Sequence, residues 1–247
     1  MHPLSYKNYI FDLYGTLLDI HTDERKRYLW EKMSALYQSY GATYTPGELR
    51  QAYQKRISSS EKSLGLPYGE IQITPVFRAL FEDKKVSTSD EMLRCIAYTF
   101  RTISRSYLRP YPGVIETLKK LKCEGKGIYL LSNAQSVFTH PEVCMTGLDH
   151  LLDGILYSSD AGIRKPDPAF MEKGLSIWGL NRSECVMVGN DAECDGGVAR
   201  GSCMDCIYIF SNISPSDDLK RIDALDANER QTFVRIIRDG DFTKVRG

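Results

Sequence analysis

The sequence predicts an α/β protein whose parallel sheet is interrupted by a long helical insertion. Three observations carry this. First, the short β-favouring apolar runs Tyr9-Ile10-Phe11, Gly127–Leu131 and Cys185–Gly189 each end at a turn, as buried parallel strands do. Second, residues 21–108, between the first two runs, read as helix, whereas a crossover between parallel strands needs only about a dozen residues. Third, residues that carry chemistry stand just past the strand ends: Asp12, Ser132, Asn133 and Asp191. Open α/β sheets place their ligands there.

Composition narrows the classes of function. The chain has 247 residues, enough for one large α/β domain or a core with a smaller inserted one. Lys plus Arg equals Asp plus Glu at 32 each, and the basic residues are scattered, so no nucleic-acid face is expected. No apolar signal segment opens the sequence and no run approaches a membrane span, so no membrane partner is expected. Seven cysteines without framework spacing read as reduced thiols of a cytoplasmic protein. Cys203-Met204-Asp205-Cys206 runs into the strand Ile207–Phe210 and reads as strand packing, since a redox motif should open a helix. His2, His21, His140 and His150 lack zinc-ligand spacing.

In chain order, Tyr9–Phe11 is the first strand and Asp12 lies at its carboxyl end. Asp12 by itself reads as nucleophile, metal ligand or turn former. Thr22 is a candidate cap for a helix carrying Tyr28, Leu29, Met33, Leu36, Tyr37 and Tyr40, stopped by Gly41. Thr45-Pro46-Gly47-Glu48 is a capping box with proline at the first helical position, followed by Leu49, Ala52, Tyr53 and Ile57. Residues 58–69 read as a polar loop. Helices follow from Thr74-Pro75 and from the Ser87–Asp90 stretch, the latter carrying Met92, Ile96, Phe100, Ile103 and Tyr107. The aromatics Tyr28, Trp30, Tyr37, Tyr40 and Tyr53 read as core of this block, and Arg25, Arg27 and Arg50 hold no diagnostic position.

The chain re-enters the sheet after Arg109–Gly113 and a helix from Val114 to Glu124. The next strand ends at Ser132-Asn133, a hydroxyl and an amide suited to binding an oxyanion at a turn. After the strand near Asp153–Ser158 comes Lys165-Pro166-Asp167-Pro168, in which Asp167 caps a helix and Pro168 opens it. That helix carries Phe170, Met171, Leu175 and Trp178 and stops at Gly179. The strand Cys185–Gly189 leads into Asn190-Asp191-Ala192-Glu193-Cys194-Asp195. Asp191 and Asp195 stand four residues apart across a strand-to-helix turn and are candidates to face one cation. Ser202–Phe210 is a further strand, Ser214-Pro215 opens a polar helix, and Thr232–Ile237 is an edge strand, for about six strands in all.

Phe11-Asp12-Leu13-Tyr14-Gly15-Thr16-Leu17-Leu18-Asp19 resembles the first signature of the haloacid dehalogenase-like (HAD) hydrolase superfamily. Ser132, Lys165-Pro166-Asp167-Pro168 and Gly189-Asn190-Asp191 with Asp195 resemble its other three motifs, in order, so the likeness covers nearly the whole chain. The resemblance implies a doubly wound, Rossmann-like parallel sheet formed by residues 1–20 and 109–247, with residues 21–108 as a helical cap. It implies a covalent mechanism in which Asp12 is the nucleophile, Ser132 and Asn133 bind the substrate anion and Lys165 neutralises charge. It implies Mg2+ held by Asp12, Asp191, Asp195 and the carbonyl of Tyr14. The expected activity is a magnesium-dependent phosphatase acting on a small phosphorylated metabolite.

Tyr14 departs from the phosphatase pattern, because phosphatases of the family have an aspartate there that protonates the leaving group. A phenol, with a reference pKa near 10, is poorly matched to that work. Tyrosine at this place is the dehalogenase pattern, whereas Asp191 and Asp195 are the phosphatase pattern. A 2-haloacid dehalogenase is therefore the alternative, and a catalytically weak phospho-ligand-binding protein a third. Whether Asn190 or Asp191 faces a metal stays open, as do the substrate and the oligomeric state.

Overall fold

The computed structural model describes residues 6–246, so His2 lies outside the described residues. Strands β1 (Asn8–Phe11) and β2 (Leu18–Thr22) come first, then helices α1 (Arg27–Ser39), α2 (Pro46–Leu64), α3 (Ile73–Glu82) and α4 (Asp90–Ser104). They are followed by β3 (Arg105–Pro110), α5 (Val114–Cys123), β4 (Gly127–Ser132), α6 (Ser136–Met145), β5 (Gly154–Tyr157), the short α7 (Ser158–Ala161) and α8 (Pro168–Trp178). The chain ends with β6 (Cys185–Gly189), α9 (Cys194–Gly201), β7 (Asp205–Ile209), α10 (Asp218–Ala224), α11 (Ala227–Arg230) and β8 (Phe233–Ile237). Among the described residues, no helix is long and apolar enough to cross a membrane.

Six strands form one parallel sheet in the order β5-β4-β1-β6-β7-β8. Its two faces carry separate apolar layers. Tyr9, Phe11, Ile128 and Leu130 pack against Val114, Leu118 and Leu121 of α5, while Ile10, Leu131 and Met187 pack against Phe170 and Met171 of α8 and Val198 of α9. This is the parallel α/β sheet that the strand runs predict, doubly wound as the motif resemblance implies. The alternation along β1 explains the split, since successive side chains point to opposite faces. Strand order reverses at β1, which pairs with β4 on one side and β6 on the other. Such a switch point opens a crevice beyond the strand ends, and Asp12 follows β1 directly into it.

Helices α1 to α4 gather around a cluster of their own, including Leu29, Trp30, Tyr37, Tyr53, Phe77 and Phe100, with Phe138 of α6 joining from the sheet side. Local signals account for much of this block. The Thr45–Glu48 capping box forms in both directions and Pro46 opens α2; Ser89 accepts from the Met92 N–H to cap α4. Trp30, Tyr37 and Tyr53 are core as expected, but Tyr28 and Tyr40 are exposed.

Several expected boundaries move. Thr22 ends a strand and caps nothing; α1 starts at Arg27, because β2 pairs antiparallel with β3 and holds Thr22 opposite Arg105. Tyr107 lies in β3, so the insertion leaves and rejoins the sheet through a two-stranded ribbon. The supposed loop from Ser58 is the last part of α2, which runs to Leu64 and stops at Gly65 in the left-handed region. Ser214-Pro215 belongs to a turn, and the helix after it begins at Asp218.

Candidate active site

The loops after β1, β4 and β6 converge at the crevice, where Asp12, Tyr14, Ser132, Asn133, Lys165, Asn190, Asp191 and Asp195 line a cavity of about 210 Å³. Every residue proposed from sequence for catalysis or metal binding therefore reaches one place. What each side chain does there differs more than the motifs suggest.

Lys165 is the centre of charge. Its Nζ donates to Asp12 Oδ1 and Asp195 Oδ1, both at 2.6 Å, and the side chain is almost wholly buried. Asn133 fixes the lysine's backbone from both sides. Its Oδ1 accepts from the Lys165 N–H at 2.8 Å and its Nδ2 donates to the Lys165 carbonyl at 3.0 Å. Burial opposes the ammonium, but the Asp12 and Asp195 carboxylates outweigh it and raise the lysine's pKa. Burial likewise pushes Asp195 upward, with repulsion from Asp12 adding and Lys165 opposing. Lys165 therefore stays an ammonium, and Asp195 keeps a proton more readily than an exposed carboxylate does.

Asp195 carries a hydrogen bond on both oxygens, because Oδ2 accepts the Asp191 N–H at 3.0 Å. Its close packing over the end of β6 depends on Gly189, where a Cβ would sit 2.1 Å from the carboxylate. Asp191 turns one oxygen onto its own loop, Oδ1 accepting from the N–H groups of Glu193 at 2.9 Å and Cys194 at 2.7 Å. Asn190, not Asp191, is the buried residue of the pair. Its Oδ1 lies 3.2 Å from Thr16 Oγ1, and its amide packs where a Cβ on Gly15 would be, at 2.3 Å. Gly15 is thus required twice, by that approach and by its φ of +88°. Glu193 is exposed and pairs with Arg221.

A metal has a limited donor set. Among the described residues, no three His, Cys, Asp or Glu side chains are arranged so that they could hold one metal ion by themselves. Asp12 keeps Oδ2, which has only a 3.5 Å contact with Thr16 Oγ1, and Asp191 Oδ2 accepts no hydrogen bond among the described residues. With the Asn190 amide oxygen and the Tyr14 carbonyl, the donors are all oxygen. Magnesium, which takes one or two carboxylates and keeps several waters, fits such a set. Each Asp195 oxygen accepts one hydrogen bond and keeps a further lone pair, so this carboxylate is a candidate donor as well.

Tyr14 lines the cavity, but its hydroxyl is bonded to residues that do not. Its hydroxyl donates to Glu142 Oε2, has Thr139 Oγ1 at 3.1 Å, and receives Arg101 Nη2 at 3.1 Å. Glu142 is 1% exposed and also holds Arg101 Nε at 2.8 Å and Arg105 Nη1 at 2.7 Å. Burial, reinforced by the Glu142 charge, raises the Tyr14 phenol well above its ordinary value. Sequence reasoning missed Glu142, Arg101, Arg105 and Thr139. The Ser136–Met145 helix carries no motif, and these partners lie 37 to 128 residues apart.

Comparison with known proteins identifies relatives on both sides of the expected activity. The chain is 26% identical to (S)-2-haloacid dehalogenase 4A of Burkholderia cepacia, over 77% of this chain and 78% of the relative. It is 26% identical to phosphoserine phosphatase of Thermus thermophilus, over 64% of this chain and 63% of the relative. It is 27% identical to glyceraldehyde 3-phosphate phosphatase of Methanothermobacter thermautotrophicus, over 48% of this chain and 53% of the relative. In fold it resembles a HAD phosphatase from Thermococcus onnurineus, with a TM-score of 0.57 at 19% identity over 97% of this chain and 96% of that one. It likewise resembles L-2-haloacid dehalogenase from Xanthobacter autotrophicus, with a TM-score of 0.54 at 17% identity over 98% of this chain and 97% of that one. The family model for haloacid dehalogenase-like hydrolases matches residues 6–201, and with Asp12, Lys165 and Asp195 joined at the switch point, the chain belongs to the haloacid dehalogenase-like hydrolase family.

Proposed function

We propose that this protein is a magnesium-dependent phosphohydrolase acting on a small phosphorylated metabolite through an aspartyl-phosphate on Asp12. The observation that carries this reading is the division of the Asp12 carboxylate. Lys165 holds Oδ1 at 2.6 Å, while Oδ2 has only the long Thr16 contact and is the oxygen available for attack. Asp12 Oδ2 forms a bond to phosphorus as the bond to the leaving oxygen breaks. Ser132 and the backbone N–H groups at its turn bind phosphoryl oxygens, Asn133 holds the Lys165 backbone in place beside them, and Lys165 offsets the charge that collects between Asp12 and the phosphoryl group. Water then attacks the aspartyl-phosphate, phosphate leaves and the carboxylate is restored. Tyr14 is committed to Glu142, so the leaving oxygen takes its proton from water. Asp12, through the carboxylate oxygen that does not attack, would hold Mg2+ together with Asp191, Asp195, Asn190 and the Tyr14 carbonyl. Bound there, it would supply positive charge beyond that of Lys165, which two carboxylates already share.

The cavity lining favours this over dehalogenation. It contains no arginine for a substrate carboxylate, and Arg101 and Arg105 are both paired with Glu142. A 2-haloacid dehalogenase remains the second reading, supported by Tyr14 in the first motif and by an amide, Asn190, at the end of β6. The domain division belongs to the same proposal, with residues 21–108 as a cap on a core of 1–20 and 109–247. Its loop is stitched to the core beside the site: Arg164 N–H donates to the Tyr68 carbonyl at 2.9 Å, and Gln135 Oε1 accepts from the Ile73 N–H at 2.8 Å. The seven cysteines, all unpaired thiols, support a reducing cytoplasmic setting.

Phosphate release from acetyl, nitrophenyl and sugar phosphates, and halide release from 2-haloacids, are measured with and without chelator. Phosphate release should vanish with chelator, return with magnesium, and be absent in Asp12→Asn. Halide release indifferent to chelator would replace this reading with the dehalogenase. Asp12→Asn turnover above a few per cent of wild type would reject covalent catalysis through that residue.

A further inference from the structure

The walls of the reaction cavity are not all polar. Ile213 and Pro215 line it together with the charged residues, and among the described residues none of the helical block 21–108 does. Ile213 is 39% exposed although it stands beside the Asp12 centre. It sits on a turn that follows β7 and is closed on itself. The Ser214 N–H donates to the Ser211 carbonyl at 3.2 Å, and the Ser211 N–H donates to Ser214 Oγ at 3.0 Å.

That turn is also pinned from two sides. Asn212 Nδ2 donates to the buried Asp19 at 3.0 Å, and Tyr111 donates its hydroxyl proton to Asn212 Oδ1. Ser214 Oγ accepts from Asn190 Nδ2 at 3.4 Å. Just beyond, Asp218 anchors both strands of the wall: its N–H donates to the Pro215 carbonyl at 3.1 Å, and its Oδ2 accepts from the Ala192 N–H at 2.7 Å. Ile213 is thus held between two fixed neighbours, and a β-branched side chain has little χ1 freedom of its own. A preformed apolar surface is thus presented to the cavity that Asp12 also lines, and among the described residues nothing covers it.

We propose that Ile213 is a specificity-determining residue that packs against the non-reacting part of the substrate, and that this part is a short hydrocarbon group. The inference rests on the reading of Asp12 as the centre of a small-anion hydrolase. It deepens that reading by naming the substrate class: a compact organic anion with an alkyl or aryl portion next to the reacting group. A polyhydroxylated sugar would set its hydroxyl groups against Ile213 and leave them without hydrogen-bond partners there.

The test is calorimetric binding, with magnesium present, of the alkylphosphonates from methyl to butyl and of the alkanoates of matching chain length. Each methylene that covers Ile213 should tighten wild-type binding by up to about fourfold. Ile213→Ser should flatten this dependence, and Ile213→Val should restore most of it. Equal chain-length dependence in wild type and Ile213→Ser would overturn the proposal, as would its absence from both series in wild type. Binding of alkanoates without phosphonates would count against the phosphatase reading alone, and Ile213 would then be judged on the alkanoate slope. Binding of neither series would overturn both.

Discussion

Tyr14→Phe separates a structural hydroxyl from a catalytic one. The exchange keeps the ring and removes the oxygen that donates to Glu142, lies 3.1 Å from Thr139 and receives Arg101 at 3.1 Å. Hydrogen bonds to charged groups contribute about 1.5–3 kcal/mol each. The loss should stay near the lower end, because Arg101 and Glu142 still satisfy each other through contacts of 2.8 Å and 3.1 Å. Urea unfolding should show a destabilisation of about 1–2 kcal/mol. The dependence of rate on leaving-group basicity, measured across acyl, aryl and alkyl phosphates, should be as steep in the variant as in wild type. Loss of a general acid costs about 100- to 10,000-fold. A fall of that size on alkyl phosphates, with aryl phosphates spared, would show that Tyr14 donates the proton and refute the assignment of its hydroxyl to Glu142. Tyr14→Asp, the exchange that the motif invites, is the less clean test, since it sets a second carboxylate beside buried Glu142.

Two further outcomes follow from the same geometry. Glu142→Ala strips the carboxylate from two largely buried guanidiniums, Arg101 and Arg105, and should destabilise the protein by about 3–5 kcal/mol in urea unfolding; a loss below about 1 kcal/mol would mean that water replaces Glu142 at no cost. Burial raises the Glu70 carboxyl above its ordinary 4.5, against the Ser158 hydrogen bond, so the folded protein holds this proton to higher pH than the unfolded chain. The group therefore subtracts stability as pH rises from 4.5 through its folded value. Glu70→Gln should gain on wild type between pH 4 and pH 7, read from urea midpoints at each pH, and a gain by wild type would reverse the sign of the argument.

Much of the fold was legible because its signals are local. The sheet strands announce themselves as short apolar runs, since both faces of β1, β4 and β6 are covered. Thr45, Asp167 and Gly179 mark helix ends through contacts within a few residues, and all three do so in the structure. The ribbon of β2 and β3 was hidden because its pairing joins residues on either side of four helices. The end of α2 was hidden because it is solvated, so that no apolar periodicity distinguishes it from a polar loop.

The site divides along the same line. Sequence alone determined which residues stand past the ends of β1, β4 and β6, because strand and turn chemistry puts them there. It therefore placed Asp12, Ser132, Asn133 and Asp191 together, and the motif resemblance added Lys165 and Asp195. Only the tertiary structure decided what those neighbours do to one another. Lys165 takes one oxygen of Asp12 and one of Asp195, Asp191 spends an oxygen on its own turn, and Asn190 occupies the buried place beside Gly15. The commitment of Tyr14 to Glu142 and Arg101 is of the same kind. An ion pair's strength depends on burial and distance, and neither exists until distant segments have packed.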